Sequence, residues 1–134
     1  MKLPTRLILA ISAIPYASGC LRVHGSIQKV PDIISGTGGI DAGCEAIDNG
    51  RVVCSAQWGS RIDQDNHYSI SCLPGYVWAF TKNGAVSWYS NGVNSFQFDN
   101  DVKSERYCCV GACDDKGPKF SCTDYYWDKK LFGC

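Results

Sequence analysis

The amino-acid sequence predicts an all-β protein, a small antiparallel β-sandwich built from hairpins and stapled by about four disulfides. Three observations lead to this prediction: Asn-Gly pairs between strand-like segments, aromatic residues in alternation, and nine cysteines in 134 residues. No segment has the apolar period of a convincing amphipathic helix.

Three Asn-Gly pairs predict tight hairpins. They occur in "DNGR" (48–51), "KNGA" (82–85) and "SNGV" (90–93). Type I′ turns need positive φ at both central residues, which Asn tolerates and Gly prefers. With two-residue loops, Trp78 lies opposite Tyr89 around the second turn, and Ser87 opposite Phe96 around the third.

The resulting meander has one large aromatic face and one smaller, more polar face, because strand side chains alternate between faces. The aromatic face comprises Tyr76, Trp78, Phe80, Tyr89, Phe96 and Phe98. Each fully buried large apolar side chain contributes roughly 1.5–3 kcal/mol, so we expect this face to form much of the core. The other strand candidates are residues 20–27, 51–56, 67–72, 104–110 and 119–126.

The amino terminus resembles a secretory signal peptide. A short basic start precedes an apolar run at 7–14, which is too short to span a bilayer, and small residues precede Cys20. We therefore predict a cleaved signal over residues 1–19, a single cysteine-rich β domain over 20–134, and a secreted, extracellular protein.

The cysteines cluster most densely in "RYCCVGAC" (106–113). Thiols in an oxidising compartment pair, so we predict disulfides rather than metal ligands. The chain has no Cys-x-x-Cys pair, and its only histidines are His24 and His67; no metal or cofactor is therefore predicted. The predicted disulfide cysteines are Cys44, Cys54, Cys72, Cys108, Cys109, Cys113, Cys122 and Cys134. Their connectivity stays open.

The odd cysteine is expected to be Cys20, as an unpaired thiol or an intermolecular bridge. Its context "ASGC" also resembles a relaxed bacterial lipobox, in which the first mature cysteine carries lipid. Without residues 1–19 the formal charge falls from zero to −2, because Lys2 and Arg6 are lost. This balance gives no electrostatic reason to expect nucleic acid or a membrane as partner. A monomer is expected.

Catalytic chemistry has weak support. A small secreted ribonuclease would need a base, an acid and a charge clamp, which His24, Glu45, Arg61 and His67 could supply, but nothing in their spacing requires them to meet. No catalytic residue is predicted.

Two carboxylates occur in "RIDQDNHY". Asp63 and Asp65 are expected to shape a turn. The alternative is a Ca²⁺ site, although the Gly and later Glu of an EF-hand loop are missing.

Binding would depend on aromatic residues in polar surroundings. Trp58, Tyr125, Tyr126 and Trp127 are such residues, and could stack on sugar rings or anchor a protein partner. The alternative is that they cover the ends of the sandwich.

Two resemblances extend these predictions. The stretch "DNHYSISCLPGYVWAF" (65–80) resembles the strand–turn–strand of transthyretin-like and carboxypeptidase-regulatory-like β-sandwich domains. Asp65, Tyr68, Ser69, Pro74, Gly75 and Tyr76 match in type. Those domains are scaffolds, so the resemblance implies no catalytic residue.

The whole chain is similar to small secreted cysteine-rich proteins of filamentous fungi, many of which are candidate effectors. That resemblance implies a non-enzymatic protein that binds a host protein or a cell-wall polysaccharide. The alternative is a small secreted hydrolase such as a ribonuclease.

Overall fold

The computed structural model describes residues 19–30, 39–111 and 119–134. Within these ranges the chain forms ten strands in two five-stranded antiparallel sheets, as the all-β prediction requires. One 3₁₀ turn, Ala56–Trp58, is the only helical element in the described part of the chain. That part contains no helix of the length and apolarity needed to cross a membrane. The predicted signal peptide falls almost wholly outside it.

Sheet 1 has the strand order β3-β2-β1-β10-β9. Its strands are β1 (Leu21–Lys29), β2 (Glu45–Asp48), β3 (Arg51–Ser55), β9 (Lys103–Gly111) and β10 (Lys119–Leu131). The first and last strands are neighbours at its centre, with Leu21 opposite Leu131 and Lys29 opposite Thr123. Strand β10 runs five residues beyond the predicted limit at Tyr126, because its pairing with β1 continues to Leu131.

Sheet 2 is a meander in chain order. Its strands are β4 (Ser60–Ile62), β5 (Tyr68–Ile70), β6 (Val77–Phe80), β7 (Val86–Ser90) and β8 (Ser95–Asp99). The predicted pairing of Trp78 with Tyr89 is confirmed. The first Asn-Gly pair also has the predicted backbone, since Asn49 and Gly50 both have positive φ, at 51° and 79°.

The predicted register of the third hairpin is wrong by two residues. Ser87 lies opposite Phe98 rather than Phe96. The loop spans four residues, 91–94, because the Asn91 side-chain oxygen accepts hydrogen bonds from two later backbone N–H groups at 3.0 and 2.8 Å. A shift of two preserves the side-chain alternation, so both phenylalanines stay on the predicted face.

The buried core contains residues of both sheets, including aromatic side chains of sheet 2 and apolar side chains of sheet 1. Trp78 and Phe80 are fully buried, as the aromatic-face prediction requires. From sheet 1, the Trp127 ring meets Phe80 edge-on, with 4.9 Å between ring centroids. Gly84 permits this contact, because a Cβ there would lie 2.4 Å from the Trp127 ring.

The disulfides correct two cysteine assignments, those of Cys20 and Cys44. Between described residues the structure has three, Cys20–Cys134, Cys54–Cys72 and Cys109–Cys122, where the sequence predicted about four in the whole chain. Cys20 is therefore paired, contrary to prediction, because adjacent β1 and β10 bring the two cysteines to a Cα separation of 4.7 Å. Among the described residues, Cys44 is a free and buried cysteine, although it was predicted to be bridged. The Cys44 sulfur packs against β1 at Gly25, where a Cβ atom would lie only 2.6 Å from that sulfur.

The stretch "CCVGAC" contains a β-bulge. On β10, Phe120 pairs with Val110 while Ser121 pairs with Cys108, so Cys109 is the extra residue. It forms the disulfide to Cys122. Cys108 is also disulfide-bonded, and Cys113 lies outside the described residues.

Candidate binding face

The face of sheet 1 that points away from the core is polar, and we call it the outer face. In β1 the buried Leu21, Val23 and Ile27 alternate with outward residues, and the antiparallel register continues this alternation across the sheet. The outer face comprises Arg22, His24, Ser26, Gln28, Glu45, Ile47, Lys103, Glu105, Tyr107, Asp124, Tyr126, Asp128 and Lys130.

Tyr126 is the exposed aromatic ring of this face, with 42% of its surface accessible. It lies opposite Ser26 on β1 and Lys103 on β9. The ring therefore stands in the middle of the sheet rather than at an edge.

Arg22 and Asp128 form a bidentate pair beside Tyr126. The guanidinium donates two hydrogen bonds to the carboxylate, at 2.7 and 2.6 Å. Hydrogen bonding and the positive charge of Arg22 lower the pKa of Asp128, and the same contact raises the pKa of Arg22. An exposed pair contributes little to stability. Its effect here is to fix two planar polar groups in one orientation.

Five other polar side chains of the outer face also have partners. His24 lies between Glu45 and Asp128 in the sheet, with 3.4 Å from its Nε2 to the Glu45 carboxylate. Gln28 donates to the Tyr107 hydroxyl at 2.6 Å, and that hydroxyl donates to Asp124 at 3.1 Å. The face thus presents hydrogen-bonding groups whose positions are already set.

An open depression lies next to the Arg22–Asp128 pair. It has a volume of about 420 Å³, and its lining includes His24 and Asp41. The Asp41 carboxylate accepts the backbone N–H of Gly43 at 2.6 Å, which holds the loop before β2 in place. The depression extends the polar surface toward β2.

The four aromatic residues that were predicted to bind a ligand differ in exposure and in position in the structure. Tyr126 is exposed, Tyr125 is half-buried against the core, and Trp127 is only 4% exposed. Strand alternation turns Trp127, also predicted as a binding residue, to the inner face of sheet 1, where most of its ring is covered. Trp58 is half exposed, but it lies in the 3₁₀ turn between β3 and β4, away from Tyr126 in the fold.

The ribonuclease set does not assemble. His24 and Glu45 are neighbours on sheet 1, whereas Arg61 lies on β4 of sheet 2. His67 precedes β5, where its ring stacks on Trp88 of sheet 2. The charge clamp and second histidine are therefore on a different sheet from the first acid–base pair.

Sequence reasoning missed Arg22, Gln28 and Asp128 as members of the candidate site. A usable signal was present in β1, because polar residues alternate with apolar ones along "LRVHGSI", whereas "YYWDKKL" in β10 shows no such alternation. What the sequence could not show is that these two segments are adjacent strands.

No family model matches this chain, and neither the curated proteins nor the solved structures contain a match. Residues 65–80 contain the adjacent antiparallel strands β5 and β6.

Proposed function

We propose that this protein is a secreted, non-enzymatic, effector-type binding protein whose outer face binds a cell-wall or host polysaccharide. We infer that the two sheets pack as a β-sandwich, which leaves the outer face free as a platform. The three disulfides between described residues support secretion, because disulfides persist in oxidising compartments.

The observation that carries this proposal is the exposed Tyr126 ring among prearranged polar groups. An aromatic ring provides a rigid apolar surface on which a sugar ring can stack. The Arg22–Asp128 pair on one side and Gln28 on the other offer donors and acceptors to sugar hydroxyls. Because these groups are already held, binding costs little side-chain entropy.

The charge of the outer face favours a neutral ligand. Arg22 is neutralised by Asp128, and the described face has more carboxylates than lysine and arginine side chains. Such a face provides no positive field for phosphates. It suits a neutral glucan or chitin chain better than a nucleic acid.

Replacing Tyr126 by alanine is expected to weaken polysaccharide binding about thirtyfold, since an aromatic anchor contributes roughly 2 kcal/mol. Tyr126→Phe keeps the ring and should retain most of the affinity. The measurement is affinity electrophoresis and pull-down on chitin and on β-glucan. Trp58→Ala is the matched control, because that ring is as exposed but lies elsewhere.

If the Tyr126→Ala protein is retained on polysaccharide as strongly as the wild-type protein, the outer face is not the binding site. Loss of binding in the Trp58→Ala protein alone would move the site to the 3₁₀ turn. If the wild-type protein is not retained on any polysaccharide, the proposed ligand class is wrong.

A further inference from the structure

We propose that Asp63, Asp65 and His67 form a site for one Zn²⁺-class divalent ion, separate from the outer face. The three residues belong to the turn between β4 and β5 in sheet 2. One ligand atom from each lies within 4.8 Å of the others. The set combines two carboxylates with an imidazole.

In this turn one oxygen of the Asp63 carboxylate accepts backbone hydrogen bonds, and the other oxygen faces His67. Its Oδ1 accepts the backbone N–H groups of Asp65 and His67, at 3.0 and 2.9 Å. A backbone hydrogen bond from Asp63 to the His67 carbonyl, at 2.9 Å, closes the turn. Asn66 has φ of 64°, a conformation that asparagine tolerates.

The second Asp63 oxygen and His67 Nδ1 are 3.8 Å apart. This distance is longer than a hydrogen bond. Two donors bound to one tetrahedral zinc at 2.0–2.1 Å stand about 3.4 Å apart. Moving these two atoms a few tenths of an ångström closer together would place both at the separation of two zinc ligands. The side chains of Asp63 and His67 are about three-quarters buried and do not hydrogen-bond to each other.

Trp88 holds the imidazole in place. Its ring stacks on His67 with 4.4 Å between centroids and 25° between planes. The indole is itself fixed, because Trp88 Nε1 donates to Gln97 at 3.0 Å. A ligand whose rotamer is locked by packing loses little freedom when a metal binds.

The donor set selects the class of ion. Ca²⁺ and Mg²⁺ prefer oxygen ligands alone, whereas an imidazole with carboxylates suits Zn²⁺. Three protein ligands leave the fourth tetrahedral position for water or an external ligand. Asp65 is exposed, so that position is open to solvent. His67 is what distinguishes this site from the Ca²⁺ alternative considered for the two aspartates.

The test is isothermal titration of ZnCl₂ and CaCl₂ into EDTA-treated secreted protein. We expect one equivalent of Zn²⁺ to bind, at least tenfold weaker binding in the His67→Ala and Asp65→Asn variants, and weaker binding of Ca²⁺. His24→Ala is the matched control, because it removes the other histidine with a carboxylate neighbour. Cu²⁺ should quench tryptophan fluorescence, and Trp88→Phe should remove most of that quenching.

Absence of Zn²⁺ binding at millimolar concentration would overturn the proposal. So would Zn²⁺ binding that His67→Ala leaves unchanged, or binding that depends on His24. Asp65→Asn guards against a folding artefact, since the Asp65 side chain is exposed and the turn hydrogen bonds use only its backbone N–H.

Discussion

Replacing both cysteines of the Cys20–Cys134 disulfide with serine is expected to lower the free energy of unfolding by roughly 4–5 kcal/mol. The bridge closes a loop with a sequence separation of 114 residues. In the chain-entropy model, a loop of about 100 residues is worth about 4.7 kcal/mol, because the linked unfolded chain has fewer conformations. Urea unfolding of the oxidised proteins measures the difference.

The control for this change is Cys44→Ser, which alters a buried thiol without opening a loop. We expect it to cost about 1 kcal/mol. Burial raises the pKa of the Cys44 thiol to about 11, so iodoacetamide should label Cys44 only after unfolding. Equal urea midpoints for wild type and the double variant, or a bridge that includes Cys44, would contradict the assigned pairing.

Replacing Trp78 with alanine is expected to lower the free energy of unfolding by about 3–5 kcal/mol. The side chain is fully buried, packs against Phe80 in a tilted arrangement with 5.0 Å between centroids, and donates from Nε1 to Ser87 at 3.2 Å. The substitution removes this packing and leaves a buried serine with one partner fewer. Urea unfolding monitored by far-ultraviolet circular dichroism measures the loss.

Trp58→Ala is the control of the same residue type, with half of its surface exposed. We expect it to cost less than about 1 kcal/mol. Similar losses for the two variants would mean that the aromatic face of sheet 2 is not the main core.

Local signals predicted much of sheet 2 because its strands are joined by short turns. The Trp78–Tyr89 register followed from strand alternation and turn length alone. The predicted register of the third hairpin was wrong because the Asn91 side chain stabilises a four-residue loop, which competes with the two-residue turn. The type of turn could not be predicted from the sequence. The sheet face on which each side chain lies could be predicted, because it depends only on the two-residue alternation of a strand.

Long-range pairing could not be predicted in the same way. Nothing local indicates that β1 and β10 are neighbours, and that pairing decides which cysteine is free. It also turns Trp127 into the core while leaving Tyr126 exposed. The contact between His67 and Trp88 likewise joins the β4–β5 turn to β7, which is adjacent to neither β4 nor β5 in sheet 2.

The most direct test of the proposed binding face is an amide chemical-shift map of the ¹⁵N-labelled protein during titration with a soluble chitin or β-glucan oligosaccharide. We expect the largest changes at Tyr126, Asp128 and Ser26, with smaller ones along β2 and β9. Little change is expected at Trp58 or in the β4–β5 turn. Changes confined to Trp58 or to that turn, with β1 and β10 unaffected, would contradict binding on the outer face.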